Sequence, residues 1–400
     1  MVSKNNTRQP LVSNFSKWAD MEDKRDNFVE ITREKFYRAI AECKPLFAWF
    51  SLTDACNLDC KQCFINAKYY PPDSPELPHH ELSTEEVFSI IDNIAEAGTE
   101  IVMFAGGEPT LRKDLVSIVN YASSRMTVAM NSNGYLLDKR LCWDLAGAGL
   151  SQVKISVDGM EKSHDWNRGE GSFQKAMDAL RNLVKTGIPT VMLIMTLTSL
   201  NYDELEKMVD LSMEMGVDFT MVEFLPLGRA SEGKEWALSK EQVEKAQRYL
   251  MEAQKRYGWQ RVAFENRYIV AEDEYCKKIC SDPNEPCGFY DFCVGCITSI
   301  YSYSITSSGK VAAGDVMTME VGDLKKERLK DIWKNSEIFK AIRNRENLKG
   351  KCGKCQYRYI CGGCRRRAYA YTGDIMAADP GCWRGTTEKF ETLKTCLKKL

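Results

Sequence analysis

The sequence predicts an α/β fold in which a parallel sheet forms an open, partial barrel. Six β-rich runs follow one another from residue 47 to residue 225, and a helical pattern separates each run from the next. Glycines stand where the helices should end, just before the following strand, at Gly98, Gly149, Gly187 and Gly216. Six β-α units in succession form a parallel sheet with helices outside it, and eight units would be needed to close the barrel.

The strands are expected, from alternating and continuous apolar residues, at 47–53, 101–105, 127–131, 153–157, 190–196 and 219–225. The helices between them are expected at 84–97, 111–123, 138–148, 172–186 and 202–215. An amphipathic helix is expected before them, within residues 18–42. Since ligands of parallel sheets bind at the carboxyl ends of the strands, the functional residues are expected there.

The rhythm of strands and helices stops after Pro226, where a single helix is expected at 239–257. From Cys276 onward the chain is rich in glycine, cysteine and short turns, which is typical of a small domain that a metal holds together. We therefore expect four regions: an N-terminal helical segment (1–45), the partial barrel (46–230), a helical connector (231–275) and a cysteine-rich domain (276–400).

Composition and charge exclude several classes of partner. The net charge is −1, from 55 basic and 56 acidic residues, so no global field attracts nucleic acid or an anionic membrane. The most apolar run, at 190–200, is too short to span a bilayer, and residues 1–10 have no apolar stretch suited to a signal peptide. We expect a cytoplasmic protein with no nucleic-acid or membrane partner.

The 16 cysteines are unusual for a protein expected in a reducing compartment, where clustered cysteines more often bind metal than form disulfides. Most of them fall into three groups, at 56–63, 276–296 and 352–382. Cys43, Cys142 and Cys396 stand apart, and for these three we expect a small buried apolar role.

The first group, Cys56, Cys60 and Cys63, directly follows the first predicted strand. Three thiolates in one loop can hold three corners of a [4Fe–4S] cluster, which leaves one iron open for a substrate. A structural zinc site would need a fourth ligand, and the nearest histidines, His79 and His80, are distant in sequence.

This CxxxCxxC spacing resembles the signature of the radical S-adenosylmethionine (radical SAM) superfamily. Further resemblances lie at the later strand ends, at Gly106-Gly107-Glu108-Pro109, Asn131-Ser132-Asn133-Gly134, Ser156-Val157-Asp158-Gly159, His164-Asp165 and Arg168-Gly169. One departure is Gln62, which stands where the family usually has an aromatic residue.

The resemblance implies a cofactor-binding role for these strand ends. Gly106 and Gly107 would let the backbone approach the methionine end of S-adenosylmethionine, and Glu108 would accept from its amino group. Arg168 would pair with the cofactor's carboxylate. Asn133, Ser156 and Asp158 would complete the pocket, the last two near the ribose.

The last cysteine group resembles the SPASM domain, an extension that carries auxiliary iron–sulfur clusters. The resemblance implies that one auxiliary cluster is held by Cys352, Cys355, Cys361 and Cys382, while Cys364 contributes to a second cluster. A zinc ribbon is the alternative, because paired CxxC motifs also bind zinc.

The second auxiliary cluster lacks an expected ligand, because Gly314 stands where the family would have a cysteine. Cys287, Cys293 and Cys296 lie upstream and are expected to hold this cluster together with Cys364. An open iron, or an oxygen ligand from Asp315, remains an alternative. Cys276 and Cys280 receive no role.

The resemblance implies an enzyme with three [4Fe–4S] clusters that takes an electron from reduced ferredoxin or flavodoxin. It would cleave S-adenosylmethionine at Cys56, Cys60 and Cys63 to a 5′-deoxyadenosyl radical, which abstracts hydrogen from a substrate. Two substrates remain open: a peptide that is matured, or a tetrapyrrole side chain that is decarboxylated oxidatively. The alternative is a non-catalytic iron–sulfur or zinc ribbon protein that binds partners or carries electrons, which has no need of Glu108 and Arg168.

Overall fold

The computed structural model describes residues 42–70, 81–258, 260–264, 296–314, 319–355, 358 and 361–384. Its strands are β1 (Phe47–Ser51), β2 (Ala55–Cys56), β3 (Lys68–Tyr69), β4 (Ile101–Ala105), β5 (Thr127–Ser132), β6 (Leu150–Ser156), β7 (Thr190–Leu197), β8 (Asp218–Glu223), β9 (Val262–Phe264), β10 (Ser302–Ile305), β11 (Lys310–Ala312) and β12 (Glu320–Asp323). All six predicted strands are present, as β1 and β4 to β8. The helix predicted within 18–42 lies outside the described residues, except for its last residue.

Ten strands form one open sheet in the order β12-β11-β10-β1-β4-β5-β6-β7-β8-β9. From β10 to β9 every neighbouring pair is parallel, and β11 and β12 continue the sheet antiparallel. The predicted α/β partial barrel is confirmed. Its sheet is wider than the sequence indicates, because β9 extends one edge and the strands of the C-terminal region extend the other.

The helices are α1 (Thr84–Glu96), α2 (Leu115–Ser123), α3 (Lys139–Gly147), α4 (Glu161–Arg168), α5 (Ser172–Leu183), α6 (Leu205–Glu214), α7 (Lys240–Tyr257), α8 (Leu329–Asn335), α9 (Glu337–Arg343), α10 (Gly350–Gly353) and α11 (Arg365–Thr372). Each predicted helix of the barrel is present within a few residues. The short polar helix α4 was not predicted. None of the helices in the described ranges combines the length and apolar character needed to cross a bilayer.

Helix α1 shows how the sequence sets these boundaries. Ser83 begins the helix with a capping box, since its hydroxyl accepts from the Glu86 N–H while the Glu86 carboxylate accepts from the Ser83 N–H. Gly98 ends the helix with φ of +97°, a conformation that other residues rarely adopt. Between these ends Ile90 and Ile91 face the sheet and are buried. The helices thus cover one face of the sheet and leave the carboxyl ends of its strands free for a site.

Candidate active site

Residues of the first cysteine group and of the strand-end motifs meet in one cavity at the carboxyl ends of the parallel strands. The cysteine loop and the residues after β4 to β6 line it: Cys56, Cys60, Gln62, Cys63, Gly106, Gly107, Glu108, Asn131, Ser132, Asn133, Ser156 and Arg168. The structure therefore brings together the predicted trio and every predicted cofactor-binding residue except Asp158, which lies behind the wall.

The cysteine loop is closed by a small sheet in which β2 and β3 pair. Cys56 lies in β2, so its backbone is fixed by this pairing. The Ala67 N–H donates to Cys63 Sγ at 3.4 Å, which folds the loop back on itself. Burial is the main cause that raises the pKa of Cys56, to about 12, and it also raises the pKa of Cys60. These thiols therefore need a metal or a cation to become thiolates.

Arg229 holds the cysteine loop in place, and the sequence analysis missed it. Its Nε–H donates to the carbonyl of Cys60 at 3.2 Å, and its Nη1 donates to the carbonyl of Ala67 at 2.6 Å. Gly228 lets it approach, because a Cβ there would lie 2.8 Å from the carbonyl oxygen of Cys63. The signal was present as a Gly-Arg pair shortly after the last predicted strand.

Gly106 and Gly107 pack against the cysteine loop's own backbone. A Cβ at Gly106 would lie 2.3 Å from the carbonyl oxygen of Thr53, and one at Gly107 would lie 2.0 Å from that of Ala55. The N–H groups of Gly107 and Glu108 donate to the same two carbonyls, at 2.7 and 2.8 Å. The glycines thus join the end of β4 to the start of the loop, which places Glu108 beside the cysteines.

Glu108 is buried, with 1% of its surface exposed, and it is held by neighbours on both sides. Its Oε1 accepts from the Thr110 hydroxyl at 2.6 Å and from the Ser132 hydroxyl at 2.8 Å. Its Oε2 accepts from the Asn133 N–H at 2.7 Å. Burial raises the pKa of Glu108, while these hydrogen bonds oppose the increase. The carboxylate is a fixed acceptor in the cavity wall, suited to an ammonium group.

Asp158 orients the arginine of the site. Its Oδ2 accepts from Arg168 Nε at 2.5 Å and from Asn167 Nδ2 at 2.9 Å, and its Oδ1 accepts from the Thr196 N–H at 2.9 Å. Burial lowers the pKa of Arg168, but the charge and hydrogen bond of Asp158, together with the nearby Cys60 and Cys56, outweigh burial and raise it. The guanidinium remains a cation on the cavity wall, and its Nη1 lies 3.9 Å from Cys60 Sγ.

His164 holds the backbone of Asp158 in place. The imidazole is fully buried, and its Nδ1 accepts from the Asp158 N–H at 3.1 Å. Burial, together with the charge of Arg168, lowers the pKa of His164 to about 4. The ring is therefore neutral at physiological pH, with its proton on Nε2.

The cavity's chemistry fits a [4Fe–4S] cluster with S-adenosylmethionine on its open iron. Three thiols, a carboxylate and a guanidinium line one cavity. The thiols are suited to an iron–sulfur cluster, and the two charged groups are suited to the amino and carboxylate groups of S-adenosylmethionine. Two buried atoms in its wall, Gln62 Nε2 and Asn131 Oδ1, have no partner among the described residues and would suit a polar ligand. Within those residues no three acidic, cysteine or histidine side chains converge on one point as ligands of a single metal ion. A cluster does not need such convergence, since its thiolates bind separate irons.

The last cysteine group is also brought together. Burial raises the pKa of Cys361 to about 12, and the nearby charges of Asp379, Cys382 and Cys352 act in the same direction. Cys355 follows closely, since its N–H donates to the carbonyl of Cys352 at 3.3 Å. Cys352, Cys361 and Cys382 lie near Asp379, and with Cys355 they are the four cysteines that the SPASM resemblance assigns to one auxiliary cluster.

Cys364 and Cys296 both lie close to Cys361. Cys364 precedes α11, and its Sγ accepts from the Arg367 N–H at 3.4 Å. The Cys296 N–H donates to the carbonyl of Cys361 at 3.2 Å. Cys276, Cys280, Cys287, Cys293 and Asp315 lie outside the described residues. Gly314 has φ of +66°, and a Cβ there would lie 2.8 Å from Thr298 Oγ1, so its backbone does not suit a cysteine.

An ion-pair network links this region to the barrel. Arg367 contacts the Glu223 carboxylate at the end of β8 and donates to Asp379 Oδ1 at 2.9 Å. Asp379 Oδ2 in turn accepts from the Cys364 N–H at 2.6 Å. All three charged side chains are buried. The cysteine-rich segment is thereby fixed to the carboxyl end of the sheet.

Comparison with known proteins agrees with this geometry. Residues 50–212 match the model of the radical SAM superfamily, and residues 296–356 match that of the iron–sulfur cluster-binding domain SPASM. The chain is 31% identical over 350 residues to the AdoMet-dependent heme synthase of Methanosarcina barkeri (strain Fusaro / DSM 804), covering 86% of this chain and 97% of the relative. The chain belongs to the radical SAM superfamily. It is therefore an enzyme that uses S-adenosylmethionine and iron–sulfur clusters, and the alternative of a non-catalytic ribbon protein is not supported.

Other radical SAM proteins resemble it over most of its length. It is 28% identical over 364 residues to the mycofactocin maturase MftC of Mycolicibacterium smegmatis (strain ATCC 700084 / mc(2)155), covering 88% of this chain and 86% of that one. Among solved structures, native anSMEcpe with bound AdoMet and Cp18Cys peptide superposes with a TM-score of 0.63 at 16% identity, covering 89% and 95% of the two chains. The likeness to this solved structure shows that the two proteins share a fold.

Proposed function

We propose that this radical SAM enzyme acts on a propionate side chain of a tetrapyrrole and converts it to a vinyl group. The observation that carries the catalytic part is the shared cavity of Cys56, Cys60, Cys63, Glu108 and Arg168. The substrate is supported by the heme synthase of M. barkeri, by a heme synthase of Nitratidesulfovibrio vulgaris at 29% identity, and by an Fe-coproporphyrin III synthase at 28%. A propionate that loses one hydrogen atom, one electron and CO₂ becomes a vinyl group.

The chain's own residues would then divide the work as follows. Cys56, Cys60 and Cys63 hold the cluster, and Glu108 accepts from the amino group of S-adenosylmethionine. Arg168 pairs with the cofactor's carboxylate. Gly106 and Gly107 bring the loop and β4 together, while Asn133 and Ser156 complete the wall. When bound, the cluster and S-adenosylmethionine supply the radical that takes the hydrogen atom.

Asp158 has a different role from the one expected, because its carboxylate is occupied by Arg168, Asn167 and Thr196. We assign it as a positioning residue for Arg168. It acts on the cofactor through the guanidinium and not through direct contact with the ribose.

Two auxiliary clusters would bring the total to three. Cys352, Cys355, Cys361 and Cys382 are assigned to one, and Cys296 and Cys364 to the other together with Cys287 and Cys293. Their function would be to accept the electron that the substrate loses. We also propose that the chain divides into four regions, with boundaries at residues 45, 230 and 275. Reduced ferredoxin or flavodoxin would be the electron donor. The location would be cytoplasmic, because free thiols persist in a reducing compartment.

A peptide substrate is the second candidate. The likeness to mycofactocin maturase covers slightly more of this chain than the likeness to heme synthase, 88% against 86%, at slightly lower identity. Both substrate classes require the same cofactor cavity, so that cavity does not separate them.

The test is anaerobic reconstitution followed by incubation with dithionite, S-adenosylmethionine and iron coproporphyrin III. We expect about twelve irons per chain, 5′-deoxyadenosine, and a product lighter by 46 mass units for each propionate converted, the mass of CO₂ and two hydrogens, given three four-iron clusters. The triple variant Cys56→Ala, Cys60→Ala, Cys63→Ala should lose about four irons and all cleavage. Cys142→Ala, which removes a buried cysteine of α3, is the matched control. Cleavage by the parent without any change in the porphyrin would overturn the tetrapyrrole assignment and favour a peptide.

A further inference from the structure

Lys154 is a charged residue on the inner face of the barrel that the proposed cofactor cavity does not use. It lies in β6, where Val153 and Ile155 are buried in the core under the helices. Because side chains alternate along a strand, Lys154 shares the opposite face with Ser156, which lines the cofactor cavity. Lys154 therefore points into the barrel interior, two residues before Ser156 and so further from the carboxyl end of β6.

The neighbours of Lys154 on this face offer it no counter-ion. In the sheet register it is paired with Asn131 of β5 on one side and Met192 of β7 on the other. The nearest position of β8 in that register is Asp218, and its carboxylate is paired with Arg261 at 2.7 Å. Within the described ranges the ammonium group of Lys154 makes no hydrogen bond or ion pair.

Lys154 is half-buried, so its ammonium group is partly removed from water. Burial lowers the pKa of Lys154 to about 8, with no charged group acting in the opposite direction. A lysine that only stabilised the fold would be expected to have an acidic partner, because a desolvated charge without one destabilises the protein. Asn131, which is paired with Lys154 in the sheet register, has a buried acceptor, Oδ1, without a partner among the described residues.

We propose that Lys154 binds a carboxylate of the substrate inside the barrel, below the cofactor. This inference rests on the proposed function and narrows it, since it names a contact for a propionate of the tetrapyrrole. The position is suitable because the reacting group must lie close to the cofactor cavity, and Ser156 and Lys154 are two residues apart on one face. Asn131 would accept a hydrogen bond from the same ammonium group once the substrate is bound.

The experiment measures binding of two probes to the reconstituted enzyme with S-adenosylmethionine present, by the change in porphyrin absorbance. The probes are iron coproporphyrin III and its tetramethyl ester. The parent should bind the free acid at least about tenfold more tightly than Lys154→Gln does, as expected for a charge-assisted hydrogen bond. The ester, which has no carboxylate, should bind both proteins equally.

Two further variants separate this role from a structural one. Lys154→Arg keeps the charge and should restore tight binding at pH 9, where the parent loses affinity because its lysine deprotonates. Lys207→Gln, on the exposed face of α6, should bind both probes like the parent. Equal affinity of the parent and Lys154→Gln for the free acid would overturn the role of Lys154 and leave the substrate class intact. Failure of the parent to bind the free acid would overturn the tetrapyrrole assignment and this inference with it.

Discussion

Arg168 is held by Asp158 through a hydrogen bond of 2.5 Å from its Nε, so its remaining N–H groups stay directed at the cavity. The two residues come from different elements, since Asp158 follows β6 and Arg168 ends α4. The turn between β6 and α4 is short, and His164 of α4 supports it by accepting from the Asp158 N–H. The orientation of the guanidinium is thus set by the fold before any cofactor binds.

Asp158→Asn should therefore weaken S-adenosylmethionine binding by about tenfold or more, because the amide nitrogen opposes a donor and Arg168 loses its charged partner. An equilibrium titration of the reconstituted protein measures it. Asp178→Asn removes an exposed partner of Arg181 and is the control. An Asp158→Asn protein with the parent's affinity would show that Arg168 is positioned by other contacts.

Glu108→Gln should also weaken cofactor binding, by about 1.5–3 kcal/mol, because the charge that meets the ammonium group is lost. The same titration measures it. Glu86→Gln, in the capping box of α1, keeps that box and should bind like the parent. Unchanged affinity in Glu108→Gln would contradict the assignment of this carboxylate.

The stability of the protein should fall as the pH is lowered from 6.5 to 4, partly because of His164. Its pKa is about 4 when folded and 6.5 when exposed, so between these values the unfolded chain binds the extra proton. Between pH 7 and pH 5 the parent should lose about 2 kcal/mol more stability than His164→Asn, whose amide can still accept from the Asp158 N–H. Urea unfolding at both pH values checks this, and parallel losses in the two proteins would contradict it.

Arg367→Met should destabilise the protein by about 3–5 kcal/mol, since Glu223 and Asp379 would keep buried charges without their shared cation. Adding Glu223→Gln to this variant should recover part of the loss. Thermal unfolding measures both effects. Arg181→Met, which breaks an exposed pair, should change stability little, and a similar small effect for Arg367→Met would refute the role of this network.

Cys296→Ala should lose up to four irons together with substrate turnover, if Cys296 is a ligand of the second auxiliary cluster. Iron analysis and electron paramagnetic resonance of the reduced protein are the measurements. Cys43→Ala should keep the parent's iron content, because Cys43 is exposed; the buried role expected for it from the sequence is wrong. Signals of both auxiliary clusters intact in Cys296→Ala would rule out this ligand.

The sequence was sufficient for the barrel because its signals are local. Gly98, Gly149 and Gly216 each follow a helix with positive φ, and the apolar runs before the cysteine loop and the GGEP motif are strands. Strand β10 could not be predicted in the same way, because Ser302 and Ser304 give it a weakly apolar pattern and its pairing with β1 joins residues 255 positions apart.

The site was predictable in its residue types and less so in its contacts. Family motifs located Glu108, Arg168 and the cysteine trio. They did not indicate that Asp158 holds Arg168, since a carboxylate near a ribose and one near a guanidinium look alike in sequence. Arg229 was missed for a similar reason: it acts on two backbone carbonyls, which no side-chain motif reveals.

The parallel pairing of β10 with β1, from Phe47 opposite Ser302 to Phe50 opposite Ile305, also protects the barrel from self-association. Without the C-terminal region, β1 would be an edge strand with the sequence Phe-Ala-Trp-Phe-Ser and a row of free N–H and C=O groups. An apolar edge of this kind is a template for pairing with other chains and for aggregation. The C-terminal region therefore covers an edge strand that would otherwise be free to pair with other chains, and this structural role is separate from any role in catalysis.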